Sequence, residues 1–315
     1  MNSGIIVKQI EEMEQFGIRS VTVAAGVFDG VHRGHLQVLR AMLRISAQTD
    51  SVPCVLTFSP HPRSVLPGKT TPAMILPEEE KYRLLFAAGA KAIVVQEFTR
   101  EFAALAPEDF LRKMLQSGNI TMKGLTVGNS WRFGAGASGT CETIMKFAGK
   151  ETLQFIPVPE LMLEGRVVSS SGIRNAISSG AIDTARKMLG RRPALFGKVV
   201  HGLGLAGKVL GFPTANIQLA NGIFPAYGVY AVYILVNGTV YPAVANAGVA
   251  PTVREEDDPK PKLEVHIPGF SGDLYDTEVK VELVRKIRPE QKFNGLDELK
   301  KQMAADLKLA MTFLI

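Results

Sequence analysis

The sequence changes texture at Gly190-Arg191-Arg192-Pro193, and that change limits the fold more than any other feature. Before it, short apolar runs alternate with helical patterns. Residues 21–26, 53–58, 91–96, 124–128 and 153–158 read as strands. Residues 35–48, 78–88, 107–116 and 142–149 read as the helices between them. Pro77 followed by Glu78, Glu79 and Glu80 suits a helix start, because acids complement the positive end of the helix dipole. Strand and helix in alternation predict an α/β domain with a doubly wound parallel sheet. Residues 173–189 read as one further helix, ended by Gly190.

After Pro193 the pattern is mostly β. Residues 196–201, 228–236, 239–246, 262–267 and 278–284 are β-like runs between turns. Asn237-Gly238 is a hairpin signal, since both residues tolerate positive φ. Residues 255–262 are charged and contain proline, and they read as an exposed loop. Residues 296–313 read as an amphipathic helix with Leu296, Leu299, Met303 and Leu307 on one face, covering a barrel. The boundary falls in the Gly/Pro punctuation, giving domains of residues 1–189 and 190–315.

A length of 315 residues allows each domain its own core. No apolar run is long enough to span a bilayer, and the first ten residues lack a secretory pattern. Cys54 and Cys141 have no CxxC spacing and read as buried thiols, which suits a cytoplasmic location. The net charge of +6 attracts polyanions, and ATP is one as much as RNA is. The basic residues are scattered without an RNP-type aromatic pattern, so neither a nucleic acid nor a membrane is an expected partner.

Two constellations carry chemistry. In the first, Gly26-Val-Phe-Asp-Gly-Val-His-Arg-Gly-His35 follows a predicted strand and opens a predicted helix. Unpaired N–H groups at such a helix start point at an anion. Gly30 and Gly34 let the backbone approach phosphate oxygens. His32 and His35, three apart, share a helix face and can stabilise charge developing on a phosphate. A lone histidine would usually be structural, but HxGH in this setting favours function. Ser169, Ser170 and Ser171 before a predicted helix can cap it and bind phosphate, and Arg174 can neutralise a leaving pyrophosphate.

In the second, Gly211-Phe-Pro-Thr-Ala-Asn216 offers Thr214 and Asn216 as hard oxygen ligands suited to Mg²⁺. Glu264 alternates on a predicted strand and is a candidate general base for a hydroxyl attacking a γ-phosphate. Two glycine motifs are decoys. Gly202-Leu-Gly-Leu-Ala-Gly207-Lys208 approaches a Walker A loop, but Val209 replaces Ser or Thr and Pro213 forbids the helix. Gly134 to Gly139 matches GxGxxG, but the first βα turn already carries HxGH.

HxGH with Ser170-Ser171-Gly-Ile-Arg174 resembles the nucleotidyltransferase superfamily. GVFDGVHRGH, followed by TFSPHP from Thr57, is similar to the N-terminal module of bacterial bifunctional riboflavin kinase/FAD synthetases. GKVVHG, LGFPTAN, GVYAV, NAGVAPT, LEVHIPGFSGDLYD and IRPEQKF follow in the order seen in riboflavin kinases. The resemblance implies a Rossmann-like nucleotidyltransferase domain, then a small closed β-barrel with a terminal helix. It implies ATP-dependent conversion of riboflavin to FMN in the second module. In the first, FMN attacks the α-phosphorus of ATP to give FAD and pyrophosphate.

The roles implied are residue by residue. Thr214 and Asn216 handle Mg²⁺ and phosphate, and Glu264 is the base. Gly26, Phe28, Gly30, Gly34, Ser169, Ser170 and Ser171 surround one nucleotide. Gly202, Gly207 and Lys208 arch over the other. Asn129, Trp131 and Phe133 in the first module, and Arg288 and Glu290 in the second, hold flavin. Ser130, Ala137 and Thr140 replace an acid, an arginine and an acid of the family pattern, and Leu205 and Ala250 replace polar residues. These losses predict a weakened flavin site in the first module. The alternatives are a chain with one active module, or a flavin- or nucleotide-binding regulatory protein.

Overall fold

The computed structural model describes residues 4–115, 118–149, 153–201, 212–220, 222–249 and 261–314. These form two compact units, residues 1–72 with 78–168, and residues 73–77 with 169–315.

The first unit alternates strand and helix, as the apolar runs require. Its strands are β1 (Ile5–Val7), β2 (Ser20–Ala25), β3 (Val52–Ser59), β4 (Ala92–Glu97), β5 (Thr121–Gly128) and β6 (Gln154–Val158). Its helices are α1 (Arg33–Thr49), α2 (Pro62–Val65), α3 (Glu78–Ala87), α4 (Arg100–Ala103), α5 (Pro107–Leu115) and α6 (Cys141–Ala148). A short hairpin, β7 (Met162–Leu163) and β8 (Arg166–Val167), follows. The sheet runs β1-β4-β3-β2-β5-β6, parallel throughout. Val21, Val23, Cys54, Val94 and Val127 are buried in it to within 1%, because both faces of a parallel sheet are covered. Strand order reverses between β2 and β5, and ligands of open α/β sheets bind at the carboxyl ends of strands at such a switch.

In the second unit, α7 (Ser170–Ser178) and α8 (Ile182–Leu189) precede a closed barrel. The barrel strands are β9 (Ala194–Val200), β10 (Ala215–Leu219), β11 (Gly228–Val236), β12 (Thr239–Val249), β13 (Pro261–His266) and β14 (Glu278–Arg288). They pair antiparallel in the order β10-β13-β12-β11-β14-β9, and β9 closes on β10. Val232 opposite Leu283 and Ile234 opposite Val281 fill the interior. Asn237 (φ 48°) and Gly238 (φ 81°) turn β11 into β12, as predicted. The chain ends in α9 (Leu296–Met311).

The structure differs from the sequence reading in three places. The helix read at residues 173–189 is two helices, because Gly180 takes the left-handed φ of 79° between them. A Cβ there would meet Lys286 Cδ at 2.9 Å and Ala226 Cβ at 3.3 Å, so the break is also where the chain packs close. Residues 215–219, to which the sequence reading assigned no element, are strand β10. Edge strand β1 has only three residues and gives too short a period to read. Of the loop predicted at 255–262, residues 255–260 lie outside the described residues.

Candidate active sites

The first site sits at the carboxyl end of β2. The chain leaves the sheet through Gly26 and turns left-handed at Phe28 (φ 55°), Gly30 (φ 84°) and Val31 (φ 36°) before α1 begins. Thr57 on β3 steadies the turn by donating to the Val27 carbonyl at 3.1 Å. His32 is the N-cap of α1. Its Nδ1 accepts the His35 N–H at 3.3 Å, and His35 Nδ1 accepts the His32 N–H at 3.4 Å. The two rings stack with centroids 3.5 Å apart and planes 17° from parallel. Phe28 meets the His35 ring edge-on at 5.1 Å. His32 is 5% exposed and His35 half-buried.

This geometry sets the chemistry. An Nδ1 that accepts a backbone N–H carries no proton, so the proton of each neutral ring sits on Nε2. The capping box therefore presents two stacked N–H donors of matched tautomer at a helix start. Gly34 is needed at close quarters, since a Cβ would lie 3.2 Å from His32 Nδ1 and crowd the ring.

Asn129 is exposed just beyond β5, the strand beside β2. Trp131 stacks on Phe133 with centroids 4.8 Å apart, and Phe133 is buried in the core of the unit. Thr140 caps α6, its N–H donating to Thr143 Oγ1 at 3.2 Å. A local structural role thus accounts for threonine at that departure.

In the second unit, Ser169 caps α7 by accepting the Gly172 N–H at 3.1 Å, and Ser170 and Ser171 open the helix. Arg174 donates from Nε to the Ala73 carbonyl at 2.7 Å.

The barrel site is assembled by register. Leu263 and Val265 point into the barrel, so Glu264 points out. Glu264 pairs directly with Asn216 on β10 and with Asn246 on β12. Directly opposed residues share a face with Cβ atoms about 5 Å apart. The carboxylate thus lies between two carboxamides. Lys262 Nζ is 2.6 Å from Glu264 Oε1 and fixes its orientation. Asn216 Oδ1 is buried without a hydrogen-bond partner.

Thr214, Asn246, Glu264, Arg288 and Glu290 line one cavity of about 300 Å³. Leu299, Met303 and Leu307 of α9 form its apolar wall. The predicted stripe therefore does more than cover the barrel, while Leu296 at the helix start is 57% exposed. Arg288 binds Asp306 of α9 through Nε at 3.0 Å and Nη2 at 2.8 Å, and Gln302 adds a bond to Asp306 at 2.8 Å. Gly248 leaves room for Glu290, whose Oε1 would be 2.5 Å from a Cβ there.

A second cavity, of about 460 Å³, is lined by Val199, Thr214, Val265, Asp273 and Tyr275. Tyr275 stacks on His201 at 3.8 Å. Thr214 belongs to both cavities. Asn246, Asp273, Tyr275 and Asp306 were not singled out from sequence. Asn246 stands within the quoted NAGVAPT segment, which was the available signal. Gly202, Gly207 and Lys208, with Leu205 and Ala250, lie outside the described residues.

Cys54 and Cys141 are free and buried, as expected. Burial pushes the Cys54 thiol up to about 12. Among the described residues, no helix is long and apolar enough to cross a membrane.

Comparison with known proteins finds two family models in series along the chain. A riboflavin kinase family model covers residues 189–314, and an FAD synthetase model covers residues 16–172. The bifunctional riboflavin kinase/FMN adenylyltransferase of Escherichia coli strain K12 is 36% identical over 98% of this chain and 97% of its own. That of Bacillus subtilis strain 168 is 35% identical over 92% of each. A solved Streptococcus pneumoniae structure, described as a macrolide-efflux protein, superposes with a TM-score of 0.84 at 29% identity over 98% of both chains. With two family models in series and relatives aligned along almost its whole length, the chain belongs to the bifunctional riboflavin kinase/FMN adenylyltransferase family.

Proposed function

We propose that riboflavin is phosphorylated in the cavity beneath α9 and that FMN is adenylylated at the turn after β2. The chain is an enzyme with both activities, and riboflavin, FMN, FAD and ATP are its substrates and products. We take residues 1–189 as the adenylyltransferase module and 190–315 as the kinase module. The kinase model begins at residue 189, which supports that division, although α7 and α8 pack with the barrel.

In the kinase reading, riboflavin lies against the apolar wall of α9 and ATP enters the cavity beside Tyr275. Thr214, shared by both cavities, stands where the terminal phosphate meets the flavin hydroxyl. Glu264 takes the hydroxyl proton, the oxygen attacks the γ-phosphorus, and ADP leaves. Family members use ATP with a divalent metal, and we assign magnesium. The orphaned Asn216 Oδ1 and the Thr214 hydroxyl are oxygen donors that fit it. When bound, the ion neutralises charge on the phosphates. Arg288 holds α9 through Asp306, and Glu290 lines the flavin cavity. Gly202, Gly207 and Lys208 are assigned to the nucleotide from sequence alone.

In the adenylyltransferase reading, an FMN phosphate oxygen attacks the α-phosphorus of ATP and pyrophosphate leaves. The Nε2–H groups of His32 and His35 stabilise the charge that builds on the α-phosphate. Gly26, Phe28, Gly30 and Gly34 shape the turn that receives it. Ser169, Ser170, Ser171 and Arg174 serve the leaving pyrophosphate. Asn129, Trp131 and Phe133, at the end of β5, form the flavin side. Two buried thiols fit a reducing compartment, so we place the enzyme in the cytoplasm.

The observation that carries the kinase half is Glu264 flanked in register by Asn216 and Asn246, in one cavity with Thr214. Incubating the purified chain with ATP, magnesium and either riboflavin or FMN, then chromatographing the products, tests both halves. FMN from riboflavin and FAD from FMN are expected. Tight flavin binding with neither product would favour the regulatory reading.

A further inference from the structure

The carboxylate of Glu264 carries a cation of its own. Lys262 and Glu264 are two apart on β13, so both side chains leave the same face of the strand. Lys262 Nζ lies 2.6 Å from Glu264 Oε1, and the two side chains are only 25% and 26% exposed. Among the described residues no other group is bonded to that carboxylate. Asn216, its direct neighbour on β10, keeps its own Oδ1 without a partner.

Register explains why a lysine fits there. Lys262 faces Gly248 across the β12–β13 pair. Gly248 has no side chain, and the Glu290 carboxylate fills the space above it, with Oε1 2.5 Å from where a Cβ would stand. The lysine stem thus leaves the sheet beside two carboxylates, Glu264 and Glu290, that line one cavity. Arg288, the arginine of that cavity, is already committed to Asp306 and to the Pro289 carbonyl. An ion pair this exposed adds little to stability. What it supplies is geometry, because a carboxylate held by one oxygen presents the other in a fixed direction.

We propose that Lys262 is a positioning residue for the kinase reaction: its ammonium holds Glu264 by Oε1 and leaves Oε2 as the oxygen that meets the flavin hydroxyl. The inference rests on the reading of Glu264 as the general base, and it adds which oxygen takes the proton and what aims it. In the step, the hydroxyl proton passes to Oε2 and the hydroxyl oxygen bonds to the γ-phosphorus. The bond from that phosphorus to the bridging oxygen breaks, and ADP leaves. The lysine keeps its protons throughout. A misaimed carboxylate penalises only the reacting geometry, so loss of Lys262 lowers kcat and leaves riboflavin and ATP binding largely intact.

The test uses the full chain carrying Lys262→Met, Lys262→Gln or Lys262→Cys, assayed with riboflavin, ATP and magnesium. FAD formation from supplied FMN is the internal control. Lys262→Met is expected to lower kcat for riboflavin phosphorylation about 5- to 30-fold, with KM for riboflavin and ATP within about twofold and FAD formation unchanged. Lys262→Cys treated with bromoethylamine regains an ammonium at the same place and is expected to recover most of the rate. Cys54 and Cys141 are buried, and the treated parent chain shows whether they stay unmodified. In a Glu264→Gln background, Lys262→Met is expected to change the residual rate by less than about twofold.

A kcat within about twofold of the parent in Lys262→Met overturns the proposal. So does a raised KM for ATP at unchanged kcat, which would make the lysine a nucleotide contact. Strict additivity with Glu264→Gln, or no recovery on alkylation of Lys262→Cys, overturns it as well. Should Lys262→Met lose FAD formation too, and so have misfolded, Lys262→Gln and the alkylated cysteine variant decide by the same criteria. Glu264→Gln separates the two levels. If that variant keeps phosphorylating riboflavin, the reading of the base itself fails. If it stops while the Lys262 variants do not slow, only the present inference fails.

Discussion

The two proposed phosphate sites are built in opposite ways. The turn after β2 gathers its donors from ten consecutive residues, Gly26 to His35, and locks them by a reciprocal cap. The barrel site takes Thr214, Asn216, Glu264 and Asn246 from the β10, β13 and β12 region and brings them together by strand register. A contiguous site keeps its geometry as long as one helix start survives. A register site is correct only when several strands are paired without a one-residue slip, which would turn Glu264 into the barrel. In the proposed reading, stacked imidazoles stabilise charge, whereas a carboxylate set between amides moves a proton. Each half thus has the chemistry its construction can hold in place.

The sharpest way to break this contrast is Glu264→Gln. Loss of a general base predicts a fall in FMN formation of about 10²- to 10⁴-fold, with FAD formation from supplied FMN unchanged. Product chromatography with each flavin checks both numbers, and equal loss in the two assays would contradict separate sites. Next is His35→Ala, which removes one of two charge-stabilising donors. FAD formation is expected to drop about 10²- to 10³-fold while FMN formation persists.

Asn246→Ala probes whether register carries the barrel site. A polar partner beside a charged group is worth about 1.5–3 kcal/mol, so kcat/KM for riboflavin should fall roughly 10- to 100-fold. No change would show that only Glu264 matters there. The smallest expected effect is that of Asp306→Asn, which weakens the Arg288 clasp on α9 without disturbing Glu264. KM for riboflavin should rise about threefold to tenfold with kcat held, and a kcat effect alone would argue against α9 as a wall of the flavin cavity.

The contrast also explains what was legible beforehand. His32, His35 and their glycines stand in one short segment, and a strand–turn–helix reading sufficed to place them. The tautomer did not follow from the motif, because it depends on Nδ1 accepting backbone N–H groups across the cap. Strand β10 was missed because Pro213 and Thr214 just before it look like a turn, and only pairing with β9 and β13 makes residues 215–219 a strand. The break at Gly180 was missed because a lone glycine in a helical pattern is usually tolerated. Arg288 was assigned to the flavin by resemblance, and its partner Asp306 was not legible because it lies 18 residues away on another element.

Local chemistry by itself pointed to the two-part architecture, the strand–turn–helix that holds His32 and His35, the candidate base and the apolar stripe of the last helix. These depend on residue type and on periodicity over a few turns or strands, which a linear text records. Tertiary structure alone decided that Asn216 and Asn246 flank Glu264, that Thr214 lines two cavities, and that Lys81 is buried. Those relations join residues distant in sequence, and they exist only once register and packing have fixed which faces meet.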